Sequence, residues 1–310
     1  MKEVLENNSS TDLKEGKAQA RGSIRLFLAA VIWGVAFVAQ RVGMDHVGPF
    51  TFNAVRNLIG AVVLLPAMAF LKKTGHRNGP VFRVDRSILM GGAACGFFLF
   101  IASNLQQVGL QYTSVGKAGF ITALYIVTVP VLGILLGKRT GLRTWISVAI
   151  AVIGLYLLCM TEKLTISGGD ILELLCAFAF AFQILAVDRH SRRIDPTMLA
   201  CMEFAVCGGL SLILAFLFET ITLQQLWAAG IPILYAGVLS CGVAYTLQIV
   251  GQRDVKPALA SLIMSLESVV SAIAGWLLLG QRLTLRELFG CAVMFAAILL
   301  AQMPAKTKAV

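Results

Sequence analysis

The chain has 310 residues, 58% of them hydrophobic and only 14% charged, and its 26 Lys and Arg against 16 Asp and Glu give a net charge of +10. A soluble domain carries about a quarter charged residues, so this chain cannot coat a water-facing surface, and lipid must surround most of it. The positive charge does not point to nucleic acid, because no basic face interleaved with base-stacking aromatics is present.

Residues 1–22 are polar and of mixed charge (NNSSTD) and predict a disordered cytoplasmic tail. No signal peptide fits, since the first apolar run begins late and lacks a small-residue cleavage site. Ten apolar runs follow, at 26–43, 48–71, 87–110, 118–137, 144–161, 170–188, 196–218, 231–251, 257–279 and 284–302. Most approach the roughly 20 residues that a helix needs to cross hydrocarbon. Helix is required because lipid offers backbone groups no partner, and no run alternates as barrel strands do. The fold class is an all-α integral membrane protein with ten transmembrane helices. With the N-terminus inside, twenty of the 26 basic residues lie on the cytoplasmic side. Five lie outside (Arg41, Lys117, Lys163, Arg282 and Arg286), and Arg56 lies within a helix. This positive-inside bias makes both termini cytoplasmic, in a multi-pass protein of the cell membrane.

Along the runs, a few polar groups stand out. Trp33-Gly34 in the first reads as a bulky wall residue beside a close-packing glycine. Arg56 in the second, Glu203 in the seventh and Glu267 in the ninth are the deep charges, each costing about 2.5–3.5 kcal/mol at a helix centre. Each must face protein or water. Helix packing is one role open to Glu267, and a solute contact is the other, since Glu267 lies ten residues past Pro257, about 15 Å into the membrane. Arg56 and Glu203 are candidates for a gating or charge pair, or for securing their own halves. In the third run Asn104, Gln107 and Gln111 share one helical face, suited to a hydrated cavity wall or to interhelical hydrogen bonds. Gly92-x-x-x-Gly96 is a packing motif. Tyr125 is central in the fourth run, and Pro130 beyond it is a hinge candidate, or a tolerated kink. The seven cysteines all lie within runs, with no C-x-x-C or His/Cys ligand spacing, so neither disulfide nor metal is expected.

The chain also repeats itself. LGKRTGLR at 136–143 returns as LGQRLTLR at 279–286, an offset of 143. Gln106, Gly109 and Ala118 return as Gln248, Gly251 and Ala260 at 142, and Pro49 and Arg56 as Pro196 and Glu203 at 147. Five helices separate the copies, an odd number, so the halves (23–163 and 164–310) have opposite topology: two inverted five-helix repeats. At the offset of 142 Tyr125 is the counterpart of Glu267, and a phenol facing a carboxylate across the axis could hold an amine and the rest of a small substrate. Gln248 repeats the polar feature of Gln106 and favours a cavity there.

IWGVAFVAQ, TSVGKAGFITALYIVTVP and SLIMSLESVVSAIAGWLLLGQRLTLRELFG together resemble the EamA family of the drug/metabolite transporter superfamily, across nearly all of 26–302. The sequence departs from that pattern at Ser268, where Pro often follows the Glu, and at Gln281, where Glu often follows LG. The resemblance implies ten helices in two repeats and export of small metabolites such as amino acids. No G-x-x-x-x-G-K-[ST] occurs, so ATP is not the energy source and no cofactor is expected; Glu267 or Glu203 is a candidate proton carrier. A membrane-embedded enzyme would need a catalytic constellation, but His46, His76 and His190 lie in loops or at helix ends and no H-E-x-x-H occurs. A non-transporting sensor or chaperone would need a receptor domain, for which 1–22 and 72–87 are too short. The expected partners are a small-molecule substrate and the lipid bilayer; oligomeric state is not readable.

Overall fold

The computed structural model describes residues 2–73, 85–113, 115–160, 167–279 and 283–303. They form helices α1 (Lys2–Gly43), α2 (Pro49–Lys73), α3 (Arg86–Gly109), α4 (Val115–Ala123), α5 (Tyr125–Leu135) and α6 (Leu142–Cys159), then α7 (Gly168–Ser191), α8 (Pro196–Phe218) and α9 (Leu223–Ala228). After these come α10 (Gly230–Leu234), a π-helical segment (Tyr235–Tyr245), α11 (Thr246–Gly251), α12 (Pro257–Met264), α13 (Glu267–Leu279) and α14 (Leu285–Gln302). Among the described residues, ten stretches are long and apolar enough to cross a membrane. Their outer surface suits lipid: Leu135, Phe216, Ile231, Leu277 and Leu299 are all exposed. The segment expected to be a disordered tail is instead helical from Lys2 onward, continuous with the first span. No proline interrupts it, and at Gly22 the helix is buried against Val255 and the Gly251 carbonyl.

Local chemistry sets where the helices begin and end. Gly137 has φ +78°, and the Lys138 amide donates to the Gly133 carbonyl at 2.8 Å while the Gly137 amide donates to Ile134 at 2.9 Å. That is a left-handed C-terminal cap, which glycine adopts without strain; it explains the glycine of LG-x-R. Gly280, Gln281 and Arg282 of the second copy lie outside the described residues, as does Lys163. Ser167 with Asp170, and Thr284 with Glu287, form reciprocal capping boxes that start α7 and α14. Asp195 caps α8, with Pro196 in its first turn.

The packing follows the inverted repeat. Counterpart spans lie against each other: α2 on α8, the fourth span on the ninth through α5 and α12, and α6 on α14. A pseudo-two-fold axis therefore runs through all three contacts. At one end α6 and α14 approach through glycines; a Cβ on Gly290 would stand 2.7 Å from the Leu158 amide and 2.8 Å from the Gly154 carbonyl. At the other, Glu219 from the end of α8 accepts from the Phe50 and Thr51 amides at 2.9 and 2.8 Å, so one repeat caps a helix of the other.

The fourth and ninth spans are both broken near their centres. α4 gives way to α5 at Leu124, whose amide donates to Ile121 at 3.1 Å; α12 gives way to α13 around Leu266, whose amide donates to Ile263 at 3.2 Å. Both are tight i to i−3 bonds, 142 residues apart and between the same residue types. Pro130 lies inside α5, so the interruption is not at the proline. A mid-helix tight turn is a common site of hinging.

Candidate functional site

The two breaks meet. Tyr125 and Glu267 are the first residues of α5 and α13, and the Tyr125 hydroxyl donates to Glu267 Oε1 at 3.0 Å. Counterparts that touch must lie on the axis relating them, so this bond marks the axis. A cleft opens beside it, with about 530 Å³ of empty space counting its open mouth, lined by residues of both repeats. Trp33, Phe37 and Gln40 come from α1, Arg56 from α2 and Gln106 from α3. The second repeat supplies Phe180, Gln183 and Ile184 from α7, Ser240 and Tyr245 from the π segment, and Gln248, Met264 and Glu267. Gly34 lets α1 reach α13 here, since a Cβ on it would stand 2.5 Å from Val270 Cβ and 2.8 Å from the Glu267 carbonyl.

The wall combines aromatic surface with unsatisfied polar atoms. Trp33 and Tyr245 stack edge to face with centroids 4.7 Å apart, and Tyr125 meets Phe180 at 6.5 Å. Trp33 Nε1, Gln40 Oε1, Arg56 Nε and Gln248 Oε1 are buried with no hydrogen-bond partner among the described residues. Each such group costs about 1–3 kcal/mol unless something bonds to it. Four of them around one cavity suit a site that receives polar contents.

Of the sequence-predicted residues, Glu267, Tyr125, Trp33, Gln248 and Arg56 come together on the cavity. The Asn104, Gln107 and Gln111 face does not line it. Asn104 Nδ2 donates to Ser211 Oγ and to the Phe100 carbonyl, each at 2.8 Å, and its Oδ1 accepts from Asn53 Nδ2 at 3.1 Å, a packing network among α2, α3 and α8. Gln107 is fully buried with both amide atoms unpartnered, and Gln111 is exposed beyond the end of α3. The reason is that α3 packs against α2, α7 and α8 at once. It has no single interior face, and the residue it turns to the cavity is Gln106. Gly96 belongs to the same packing, with a Cβ there 2.6 Å from the Glu203 carbonyl.

Arg56 and Glu203 do not bond to each other. Glu203 Oε1 accepts from Gln183 Nε2 at 2.7 Å, Gln183 Oε1 accepts from Gln248 Nε2 at 3.2 Å, and Glu203 Oε2 has no partner. Glu203 thus lies behind the wall and reaches it through Gln183. Arg56 instead turns its guanidinium toward Phe52, 5.7 Å from the ring centroid.

Sequence reasoning missed three groups. Gln183 and Gln40, lone amides in apolar spans, line the cavity. Glu173 is wholly buried in α7 and accepts from Thr122 Oγ1 at 2.6 Å, while Asp170 one turn earlier accepts from Thr113 Oγ1 at 2.6 Å. These two acids fasten the α3–α4 region to the opposite repeat. At the far end of α7, Asp188 forms an ion pair with Lys138 and lies 3.7 Å from Arg192 Nη2. Arg25 pairs with Asp254 at 3.1 Å on the same side. There too Arg253 donates to the Ser191 and Ile194 carbonyls at 2.6 and 2.7 Å.

The chain is similar to known proteins. A model of the EamA-like transporter family matches residues 20–160 and again 167–303. An uncharacterized transporter of Archaeoglobus fulgidus is 31% identical over 287 residues, 92% of this chain and 87% of its own length. The uncharacterized inner membrane transporter YedA of Escherichia coli strain K12 is 25% identical over 281 residues, 89% of this chain and 88% of its own. A solved crystal structure superposes with a TM-score of 0.75 at 17% identity, covering 91% of this chain and 96% of that one, a likeness of fold.

Proposed function

The chain belongs to the EamA-like transporter family and is a multi-pass membrane transporter, and we propose that it exports small metabolites, amino acids or related compounds, across the cell membrane by alternating access. The observation that carries this reading is the cavity on the pseudo-two-fold axis, framed by two broken helices and lined with unpartnered polar atoms. Broken helices at the interface of inverted repeats are a recurring setting for transporter sites. Tyr125 directs one Glu267 oxygen, leaving the other for a substrate ammonium group. The aromatic wall suits the apolar part of such a solute. Tight turns at Leu124 and Leu266 are the hinges about which the halves rock, with Pro130 softening α5 beyond the first. Energy comes from gradients, and the basic bias of the Lys138 side makes that side cytoplasmic.

The test is counterflow of amino acids in proteoliposomes bearing the wild-type chain or Glu267→Gln. A charge-assisted hydrogen bond is worth about 1.5–3 kcal/mol, so apparent affinity should fall about 10- to 150-fold. Unchanged transport and binding in Glu267→Gln would refute the central site.

A further inference from the structure

Among the residues lining the cavity, two are charged, Glu267 and Arg56. Glu267 has Tyr125 for company. Arg56 is 5% exposed and makes no hydrogen bond or ion pair with a described residue. A guanidinium within a membrane span is costly to leave alone. The sequence offered Glu203 as its partner, but one Glu203 oxygen is occupied by Gln183 and neither touches Arg56.

Its surroundings hold the guanidinium in place rather than neutralise it. Phe52 is wholly buried and supports it through a cation–π contact. The α2 backbone is fixed from behind: a Cβ on Gly60 would stand 2.6 Å from Cys241 Cβ, and one on Gly237 3.1 Å from the Arg56 carbonyl. An arginine held on a ring presents its N–H edge as a fork that matches a planar carboxylate.

We infer that Arg56 determines specificity by binding the carboxylate of the solute, so that the cavity selects a molecule bearing an acid at one end and a cation, for Glu267, at the other. This rests on the reading of the cavity as the solute site. The lining charges sum to zero, so a zwitterion neutralises both, whereas a phosphate ester, with about two negative charges, would leave uncompensated charge in a low-dielectric setting. The rival role for Arg56 is a gate charge that meets Glu203 in another conformation; such a role would not depend on whether the solute has an acid.

The experiment measures binding and counterflow of the twenty standard L-amino acids, each beside its α-carboxamide, with the full-length chain in proteoliposomes. For the amino acids bound by the wild type, the acid is expected to outbind its carboxamide by about tenfold or more. Arg56→Gln should weaken the acid about 10- to 100-fold and leave the carboxamide within about twofold, so the ratio collapses. Arg56→Lys keeps the charge but loses the fork; it should give an intermediate ratio, and it carries the test if Arg56→Gln does not fold. Glu203→Gln should leave the ratio intact. The inference is overturned if Arg56→Lys and any folded Arg56→Gln keep the wild-type ratio or weaken acid and carboxamide equally, or if Glu203→Gln collapses it. A wild type that binds none of the forty compounds overturns the solute reading along with it. A collapsed ratio in the Arg56 variants with Glu267→Gln unaffected would uphold the Arg56–carboxylate contact and overturn the cation assigned to Glu267.

Discussion

Lys138→Gln should tilt the protein toward opening on the Lys138 side. Lys138 joins the α5–α6 turn of one repeat to Asp188 at the end of α7 in the other. At the offset of 143 its counterpart is Gln281, and with Pro49 set on Pro196 the counterpart of Asp188 is Arg41. At the counterpart positions the sequence therefore has Gln and Arg where this seam has Lys and Asp, and Lys138→Gln gives both repeats the same uncharged residue at the first of them. The Asp188 side chain is 8% exposed and that of Lys138 37%. Exposed pairs contribute about 0.2–1 kcal/mol and stranding a buried partner costs about 3–5. Asp188 keeps Arg192 at 3.7 Å, so an intermediate loss of about 1–2 kcal/mol follows, a population shift of about 5- to 30-fold. The assay is the rate at which an impermeant maleimide modifies a cysteine placed at Ile184, in a chain relieved of its own cysteines. Ile184 lines the cavity, about 6 Å along α7 from Asp188. Modification from the Lys138 face should quicken by that factor and slow from the other. An unchanged rate, or a rise from both faces, would refute the reasoning.

Three further outcomes are expected. Tyr125→Phe removes the bond that directs Glu267 and should weaken amino-acid binding about tenfold with the chain still folded, read by counterflow and size-exclusion chromatography. Asn104→Ala strands Ser211 and takes one of two acceptors from Asn53, which keeps the Ser103 carbonyl; it should lower stability in detergent by about 1–3 kcal/mol while solute affinity stays the same. Gly290→Ala forces a methyl against the α6 backbone and should cost about 1–3 kcal/mol, seen as earlier thermal unfolding.

The sequence was legible where physics leaves little choice. Hydrocarbon demands long apolar helices, so the run at 170–188 falls within the span Gly168–Ser191. The offset of 142 also makes Tyr125 the counterpart of Glu267, to which its hydroxyl donates. The polar face of α3 misled because a helix with neighbours on several sides buries all its faces, and periodicity then no longer indicates which one borders a cavity. The helix breaks were hidden because Leu124 and Leu266 are neither glycine nor proline; the recurrence of I-x-x-L at 121–124 and 263–266 was their trace. Glu173 escaped notice because an acid near the start of a span reads as an interfacial charge, although the chain folds over it. The π segment, which carries Ser240 and Tyr245 to the cavity, has no signal in composition.

The route itself can be tested by filling it. A cysteine at Ser240, which is buried in the cavity wall, is introduced into a chain whose natural cysteines are replaced and labelled with a small thiol reagent while counterflow of L-amino acids is measured in proteoliposomes. The account predicts that labelling stops the flux and that a transported amino acid slows the labelling. Undiminished flux after complete modification would contradict it.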